Sequence, residues 1–367
     1  MTRIIFASGT PHGGAVDSTR ALAQLAADHG HKVAVLLASV DPYEDQRPII
    51  RVAVKLERRM PFAAPVIWRL VNRAVSTTTQ DRPPSTHCLL ARDVPGALSR
   101  LARREDIVVL NSMRTLDLRR SLDIIQSRDA RSVWYLRETA ALAAIPEMAH
   151  RPEAIVANSR PLAAEVERLS GRSCEYIPSY VSMEGLIEPE QPRTVLFVNP
   201  VESHGLERVV RCAQLMPETP FCLQESWPLG DLEWRDLVTR IDRLENVELR
   251  RRTDRVAVFR DACVLLAPYE ESAIGLSRPR TALEAQHLGV PLVCSDVPGL
   301  RQLATAPELV VPNEATDEVW AKTIRLAIDN RGKYTTLARS RADQELIDSD
   351  TLWAQFESLI ESRTVRR

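Results

Sequence analysis

The stretch RPRTALEAQHLGVPLVCSD, residues 278–296, predicts a helix that runs directly into a buried strand. Its second part, PLVCS, is a continuous apolar run of the kind found inside parallel sheets that are covered on both faces. The predicted helix carries one carboxylate near its start, Glu284. This acid has two interpretations: it stabilises the helix dipole from the first turn, or it accepts hydrogen bonds from ribose hydroxyls at a strand-end cleft.

Apolar runs of this type alternate with helix-patterned segments along most of the chain, in two successive series. The first series comprises RIIFAS (3–8), VAVLLAS (33–39), DIVVLNS (106–112), SVWYLRE (132–138) and AIVANS (154–159), and the second comprises RTVLFVN (193–199), TPFCLQ, NVELRRR, CVLLAPY (263–269) and PLVCSD. Alternation of strands and helices is typical of α/β domains with parallel sheets. The sequence therefore predicts two Rossmann-like domains.

The length of the chain agrees with this division, because 367 residues exceed what one ordinary core contains. We expect an N-terminal domain over 1–185, a C-terminal domain over 186–345, and a helix over 346–367 that packs back on the domains. Ligands bind at the carboxyl ends of strands in such sheets, so the loops there, around a central cleft, are where site residues are expected.

Composition excludes several other classes of protein. The formal net charge is −1, and no basic stripe is interleaved with aromatic residues, which argues against a nucleic-acid partner. The six cysteines form no CxxC pair, so neither a zinc site nor a disulfide framework is indicated. No signal peptide and no apolar run of the ~20 residues needed to span a bilayer are recognised. A cytoplasmic protein is the expectation.

The segment LLAPYEES…RPRTALEAQHLGVPLVCSDVPGL resembles the signature of family 4 of the retaining nucleotide-sugar glycosyltransferases, also called glycosyltransferase group 1. Leu283-Glu284-Ala285, Gly289, Pro291 and Ser295-Asp296 match in order and spacing. GTPHGG, VWYLRE, AIVANS followed by YIPSYV, and VLFVNPVESHGLERVV resemble further parts of that family in the right order. The resemblance implies the GT-B fold, in which two Rossmann-like parallel-sheet domains face a central cleft.

The resemblance also implies an activity. The protein would be a retaining, metal-independent, hexosyltransferase-like enzyme that uses a nucleoside-diphosphate sugar as donor and needs no bound cofactor. Glu284 would hold the ribose of the donor, and backbone amides near Ala282 and Leu283 would meet a phosphate at the helix start. The acceptor would be a glycan, a lipid or a small natural product.

Some donor-side positions depart from the family pattern. The family usually carries a first Glu eight positions before Glu284, where this chain has Leu276, so Glu271 either swings into the cleft or remains a solvated loop acid. The Arg and Lys that neutralise the departing diphosphate are replaced by Pro200 and His204. His204 can donate one hydrogen bond and, if protonated, carry charge.

Other cations must then replace that missing charge. Arg278 and Arg280 are the nearest candidates, and the alternative is that both belong to a surface helix start. A catalytically weakened GT-B scaffold that acts as a nucleotide-binding or partner subunit is the second hypothesis for the whole chain.

On the acceptor side, Arg137 stands where relatives often have His. It cannot act as a general base, but it can bind an anionic acceptor or a phosphate. Glu138 can position or deprotonate a hydroxyl, and the alternative is a salt-bridged strand end. The remaining substrate-binding candidates are Gly13, Gly14, His12, Asn111 and Ser112.

The stretch 51–75 mixes arginines with large apolar residues. It is either a face for peripheral contact with a membrane or a lipid acceptor, or an ordinary amphipathic helix and loop with solvated cations.

Overall fold

The computed structural model describes residues 2–10, 13–38, 87–270 and 275–362, together with single positions between 52 and 67. His12, Glu271 and most of the predicted 51–75 face lie outside the described residues. The described chain divides into two compact units. The first contains Met1–Tyr180 and Asp348–Arg367, and the second contains Val181–Ile347.

The first unit is built on a parallel sheet of seven strands in the order β3-β2-β1-β4-β5-β6-β7. Its strands are β1 (Arg3–Ser8), β2 (Lys32–Ala38), β3 (His87–Ala91), β4 (Ile107–Asn111), β5 (Arg131–Leu136), β6 (Ala154–Ala157) and β7 (Glu175–Tyr176). In the described part of the chain, the α-helices of this unit that precede the second unit are α1 (Gly14–Asp28), α2 (Val94–Leu101), α3 (Thr115–Ser127), α4 (Ile145–Met148) and α5 (Arg160–Ser170). Every residue of β4 and β6 is buried, as expected for strands covered on both faces.

The second unit repeats this plan with six parallel strands in the order β10-β9-β8-β11-β12-β13. The strands are β8 (Thr194–Val198), β9 (Phe221–Gln224), β10 (Val247–Arg250), β11 (Ala262–Ala267), β12 (Leu292–Ser295) and β13 (Val310–Val311). The helices are α6 (Leu206–Leu215), α7 (Asp231–Ile241), α8 (Arg280–His287), α9 (Pro298–Arg301), α10 (Asp317–Asp329) and α11 (Arg331–Glu345). Short 3₁₀ helices lie at Thr139–Ala144, Glu202–His204, Arg255–Ala257 and Pro307–Leu309.

The last described helix, α12 (Ser349–Ser362), returns the chain to the first unit. Its apolar residues recur at helical spacing and are buried, among them Trp353 and Phe356. The Phe356 ring lies 6.2 Å from that of Phe6 in β1, and the Trp353 ring lies 5.2 Å from that of His29 at the end of α1. This helix therefore completes the core beside β1 and α1.

The prediction of an α/β chain with two parallel sheets is confirmed. In both sheets the strand order reverses beside a central strand, β1 or β8, and at such a point the loops that follow neighbouring strands diverge and leave a crevice. None of the described helices is long and apolar enough to cross a membrane.

Candidate functional site

The loop after β8 in the second unit lies close against the end of β11. Gly205 has φ +85°, and a Cβ atom there would lie 2.1 Å from the Pro268 carbonyl oxygen, so only glycine fits. The Glu270 amide also donates to the Ser203 carbonyl at 3.2 Å. These contacts hold the loop after β8 against the loop after β11, at the carboxyl ends of the two strands.

Glu284 is buried at 2% exposure and binds two arginines. Its Oε1 accepts from Arg255 Nε at 2.9 Å and lies 3.0 Å from Arg280 Nε. Because α8 begins at Arg280, Glu284 lies one turn inside the helix and not in its first turn, which corrects the position expected from the sequence. The carboxylate therefore takes part in an ion-pair cluster, and stabilising the helix dipole is not its only role.

The contact of Arg255 with Glu284 is the feature that sequence reasoning missed. Arg255 begins a 3₁₀ helix shortly after β10, 29 residues before Glu284, and it also donates to the Ser182 carbonyl. The available signal was the charged run RRRTDR at a strand end. Two cations now share one carboxylate, so the cluster of Arg255, Arg280 and Glu284 carries a net positive charge. We call it the arginine clamp.

Arg278 points elsewhere. Its side chain is 2% exposed and donates from one terminal nitrogen to the Glu345 carbonyl at 2.5 Å and to the Glu345 carboxylate at 3.3 Å. It thereby binds the end of α11, whose last carbonyls lack intrahelical partners. The structure gives Arg278 a stabilising contact and leaves Arg280 and Arg255 as the cations beside Glu284.

The two backbone amides predicted to bind a phosphate, those of Ala282 and Leu283, have different positions relative to the start of α8. Since α8 starts at Arg280, the amide of Ala282 belongs to the first turn, whose N–H groups have no intrahelical acceptor. The amide of Leu283 lies one residue too far along the helix to share that property. The side chains of both residues are buried in the core.

His204 is buried between two aromatic side chains, in the short 3₁₀ helix of the loop after β8. Its ring centroid lies 4.5 Å from that of Tyr269 and 5.2 Å from that of Trp227. Burial lowers the pKa of His204 to about 4. The side chain is therefore neutral at pH 7, so the protonated form in which it could carry charge is not populated under those conditions.

This burial predicts a pH-dependent stability. The unfolded chain takes up a proton at His204 near pH 6.5, whereas the folded chain resists protonation until about pH 4. The free energy of unfolding is therefore expected to fall as the pH drops from 6.5 to 4, with a contribution of about 3 kcal/mol from this residue. Urea unfolding of the wild type and of His204→Gln between pH 4 and 6.5 measures this contribution to the free energy of unfolding. Parallel pH profiles for the two proteins would contradict the assignment.

In the first unit, the glycine loop leads into α1. Gly13 caps this helix with φ +95°, and a Cβ atom at Gly13 or Gly14 would meet no atom of the described residues within 4 Å. At the end of β4, Ser112 donates from Oγ to Glu138 Oε1 at 2.7 Å. Asn111 is buried and donates to Thr19 Oγ1 at 3.0 Å, so it holds α1 against the sheet.

Arg137 reaches the first turn of the same helix. One terminal nitrogen donates to the Ala15 carbonyl at 3.0 Å, and the guanidinium lies 4.3 Å from the centre of the Tyr135 ring. Glu138 is exposed and bonds to Ser112, so the two neighbours have different hydrogen-bond partners, while the Glu138 charge still acts on the Arg137 guanidinium. The structure thus brings together Gly13, Gly14 and Arg137, with Glu138 and Ser112 at the adjoining strand ends.

A metal cluster is not found in the described part of the chain, where no group of three or more His, Cys, Asp or Glu side chains can hold an ion.

The second unit also matches a known family. Residues 193–330 match the model described as Glycosyl transferases group 1. This segment is similar to the group 1 glycosyltransferases. The arginine clamp lies within it, because α8 and the loop after β10 are both inside the matched range. No curated protein matches the chain.

Solved glycosyltransferase structures extend the likeness to the whole chain. HepE from Anabaena in complex with UDP-glucose has a TM-score of 0.72 and 15% identity, covering 99% of this chain and 100% of HepE. A mutant of S. aureus TarM in complex with fondaparinux, α-GlcNAc-glycerol and UDP has a TM-score of 0.69 and 9% identity, covering 98% and 99% of the two chains. A glycosyltransferase from Rickettsia africae has a TM-score of 0.68 and 10% identity, covering 100% and 99%. The predicted GT-B fold is confirmed.

Proposed function

We propose that this chain is a retaining glycosyltransferase that transfers a sugar from a UDP-sugar to an acceptor. The observation that carries the proposal is the arginine clamp, a buried Glu284 held by two partly exposed arginines within the group 1 glycosyltransferase segment. The HepE and TarM structures contain UDP or UDP-glucose, which supports a uridine nucleotide as the donor class.

Glu284 is proposed to bind the donor ribose. A carboxylate has about four acceptor positions, so ribose hydroxyls can share Glu284 with the arginines or displace one of them. Hydrogen bonds from hydroxyls to a buried carboxylate are strong, because the surroundings screen the charge poorly.

Arg255 and Arg280 are proposed to stabilise the departing diphosphate. Cationic groups aimed at developing negative charge usually make a large contribution to such transfers. Pro200 has no charge, and His204 is neutral at pH 7. These two positions in the loop after β8 therefore supply no positive charge to the departing diphosphate. With the arginines in this role, we propose that the transfer proceeds without a metal ion.

The acceptor side is proposed to lie in the first unit. Glu138 is exposed and oriented by Ser112, so it can accept a hydrogen bond from an acceptor hydroxyl and position it for attack. Among the described residues, Gly13 and Gly14 leave space beside the start of α1 where that acceptor can approach the backbone.

Binding of UDP tests the proposal. At about 100 times its Kd, UDP should add about 2.7 kcal/mol to the stability of the folded chain and raise the Tm by several degrees. Thermal unfolding with UDP, GDP and ADP in parallel measures this, and slow release of glucose from UDP-glucose measures turnover. If none of the three nucleotides shifts the Tm, the proposal fails.

The scaffold hypothesis remains the second candidate, and the neutral, buried His204 is the observation that favours it. A group 1 domain without positive charge at Pro200 and His204 retains the nucleotide site while losing part of its leaving-group stabilisation. A clear Tm shift with UDP, together with no hydrolysis of UDP-glucose or UDP-GlcNAc, would favour this candidate over the enzyme.

A further inference from the structure

Glu225 is a buried carboxylate directly after β9, where it contacts two loops at once. Its relative exposure is 4%. Its Oε1 accepts from the Leu229 amide at 2.7 Å, in the loop after β9, and its Oε2 accepts from the Arg252 amide at 2.9 Å, in the loop after β10. The exposed Arg251 guanidinium lies 3.5 Å from Oε1 and partly balances the charge. Removing a carboxylate from water is costly unless it is hydrogen-bonded, so the burial of Glu225 depends on both loops keeping these amides in place.

Two further buried side chains connect the same strand ends. Gln224 Nε2 donates to the Arg251 carbonyl at 2.9 Å. Asn199, directly after β8, accepts with Oδ1 from the Ser226 and Trp227 amides at 3.1 and 3.2 Å. Asn199 has φ +59°, a left-handed conformation in which asparagine is enriched. The loops after β8, β9 and β10 therefore belong to one hydrogen-bonded network.

The peptide group that Gln224 and Glu225 hold lies just before the arginine clamp. The Arg251 carbonyl and the Arg252 N–H belong to the same planar peptide, so bonds at both of its ends fix its position and its orientation. Arg255 follows three residues after Arg252, and three residues span at most about 10 Å. The Nε atom of Arg255 lies 2.9 Å from an oxygen of Glu284, its partner in the clamp. The placement of this guanidinium therefore depends on where the held peptide lies.

We propose that Glu225 is a positioning residue for the arginine clamp: it holds the Arg251–Arg252 peptide and thereby keeps Arg255 on Glu284. A carboxylate suits this role, because an ionised acceptor forms stronger hydrogen bonds with amide N–H groups than a neutral one does. A glutamine of the same shape has one acceptor oxygen, so it can hold one loop but directs an NH₂ group at the amide of the other. The consequence for sugar transfer rests on the proposed function, whereas the placement of Arg255 does not.

The first test measures the placement of Arg255 by nitrogen-15 NMR of the full-length chain. In the wild type, the bond to Glu284 should slow the exchange of the Arg255 Nε–H with water, and Glu225→Gln is expected to raise that exchange rate about tenfold or more. Asp106→Asn is the matched control, because Asp106 is also a buried carboxylate that accepts from a backbone amide, that of Arg103 at 2.6 Å, but it lies in the first unit. An unchanged rate in Glu225→Gln, or an equal rise in both variants, overturns the proposal.

Turnover of UDP-glucose gives a second readout, which a merely structural residue would not move in the same way. Glu225→Gln should lower kcat by about 10- to 100-fold, because a small displacement of a positioned group costs up to about 10²-fold. In an Arg255→Gln background, the same substitution should lower kcat no further, since the group through which it acts is gone. Losses that multiply in the double variant overturn the proposal. If the wild type itself neither binds UDP nor turns over a UDP-sugar, the proposed function fails, and the Arg255 exchange rate still decides the role of Glu225.

Arg252→Pro keeps the test decisive if Glu225→Gln does not fold. Proline has no N–H group, so this variant removes the bond to Oε2 of Glu225 and leaves the bond from Leu229 to Oε1 in place. It is expected to raise the exchange rate of the Arg255 Nε–H as Glu225→Gln does. A folded Arg252→Pro with the wild-type rate shows that the held peptide does not position Arg255, and the proposal is then wrong.

Discussion

Replacing Glu284 by Gln is expected to weaken UDP binding by about 10- to 100-fold. The substitution keeps the shape of the side chain but removes the charge that two arginines hold in place, and charge-assisted hydrogen bonds contribute about 1.5–3 kcal/mol each. Titration calorimetry with UDP measures the change in Kd. Circular dichroism and urea unfolding of the same sample establish that the variant is folded.

Asp261→Asn is a matched control for Glu284→Gln. Asp261 is also a carboxylate held by arginine, with Arg250 at 2.8 and 2.7 Å, but it immediately precedes β11 at the amino end of that strand. We expect this variant to lose stability and keep its UDP affinity. If Glu284→Gln binds UDP as the wild type does, Glu284 has only a structural function.

Replacing Arg280 or Arg255 by Gln is expected to lower the turnover of UDP-glucose by about 10²- to 10³-fold, the usual cost of removing one preorganised donor to a developing charge. The reason is that these two arginines are the cations beside Glu284, while His204 is neutral at pH 7. Steady-state hydrolysis at saturating UDP-glucose separates the loss in kcat from any change in KM.

Arg278→Gln provides the comparison within the same short segment. Arg278 is buried and bonded to Glu345 at the end of α11, so its loss should lower the free energy of unfolding by about 1–3 kcal/mol with kcat preserved. The opposite pattern, with kcat lost in Arg278→Gln and kept in Arg280→Gln and Arg255→Gln, would refute the assignment of the leaving-group cations.

Much of the fold could be predicted from the sequence because its signals are local. Unalternating apolar runs such as 106–112 and 193–199 are set by burial on both faces of a parallel sheet, and this pattern is visible without tertiary information. The apolar spacing of Trp353 and Phe356 likewise predicted a packed C-terminal helix. The unit to which that helix belongs depends on distant contacts, which spacing does not encode.

The site was predicted in part, and the limits have physical causes. Glu284 and Arg280 are one helical turn apart, so their contact follows from the helix itself. Arg255 joins them from a loop 29 residues earlier, and Arg278 turns toward Glu345, 67 residues later. The charge state of His204 depends on the aromatic rings that bury it. Each of these outcomes requires the tertiary structure.

Because the chain returns to its first unit after the second, the first unit cannot complete its core until the second has been synthesised. The ribosome finishes the first unit up to Tyr180, then synthesises all of the second, and only afterwards delivers the segment that starts at Asp348. Until Trp353 and Phe356 emerge, the core beside Phe6 lacks its cover. Domains usually complete folding in the order of synthesis. Here the unit that begins first finishes last, so the apolar surface beside Phe6 stays uncovered until the last described helix is synthesised.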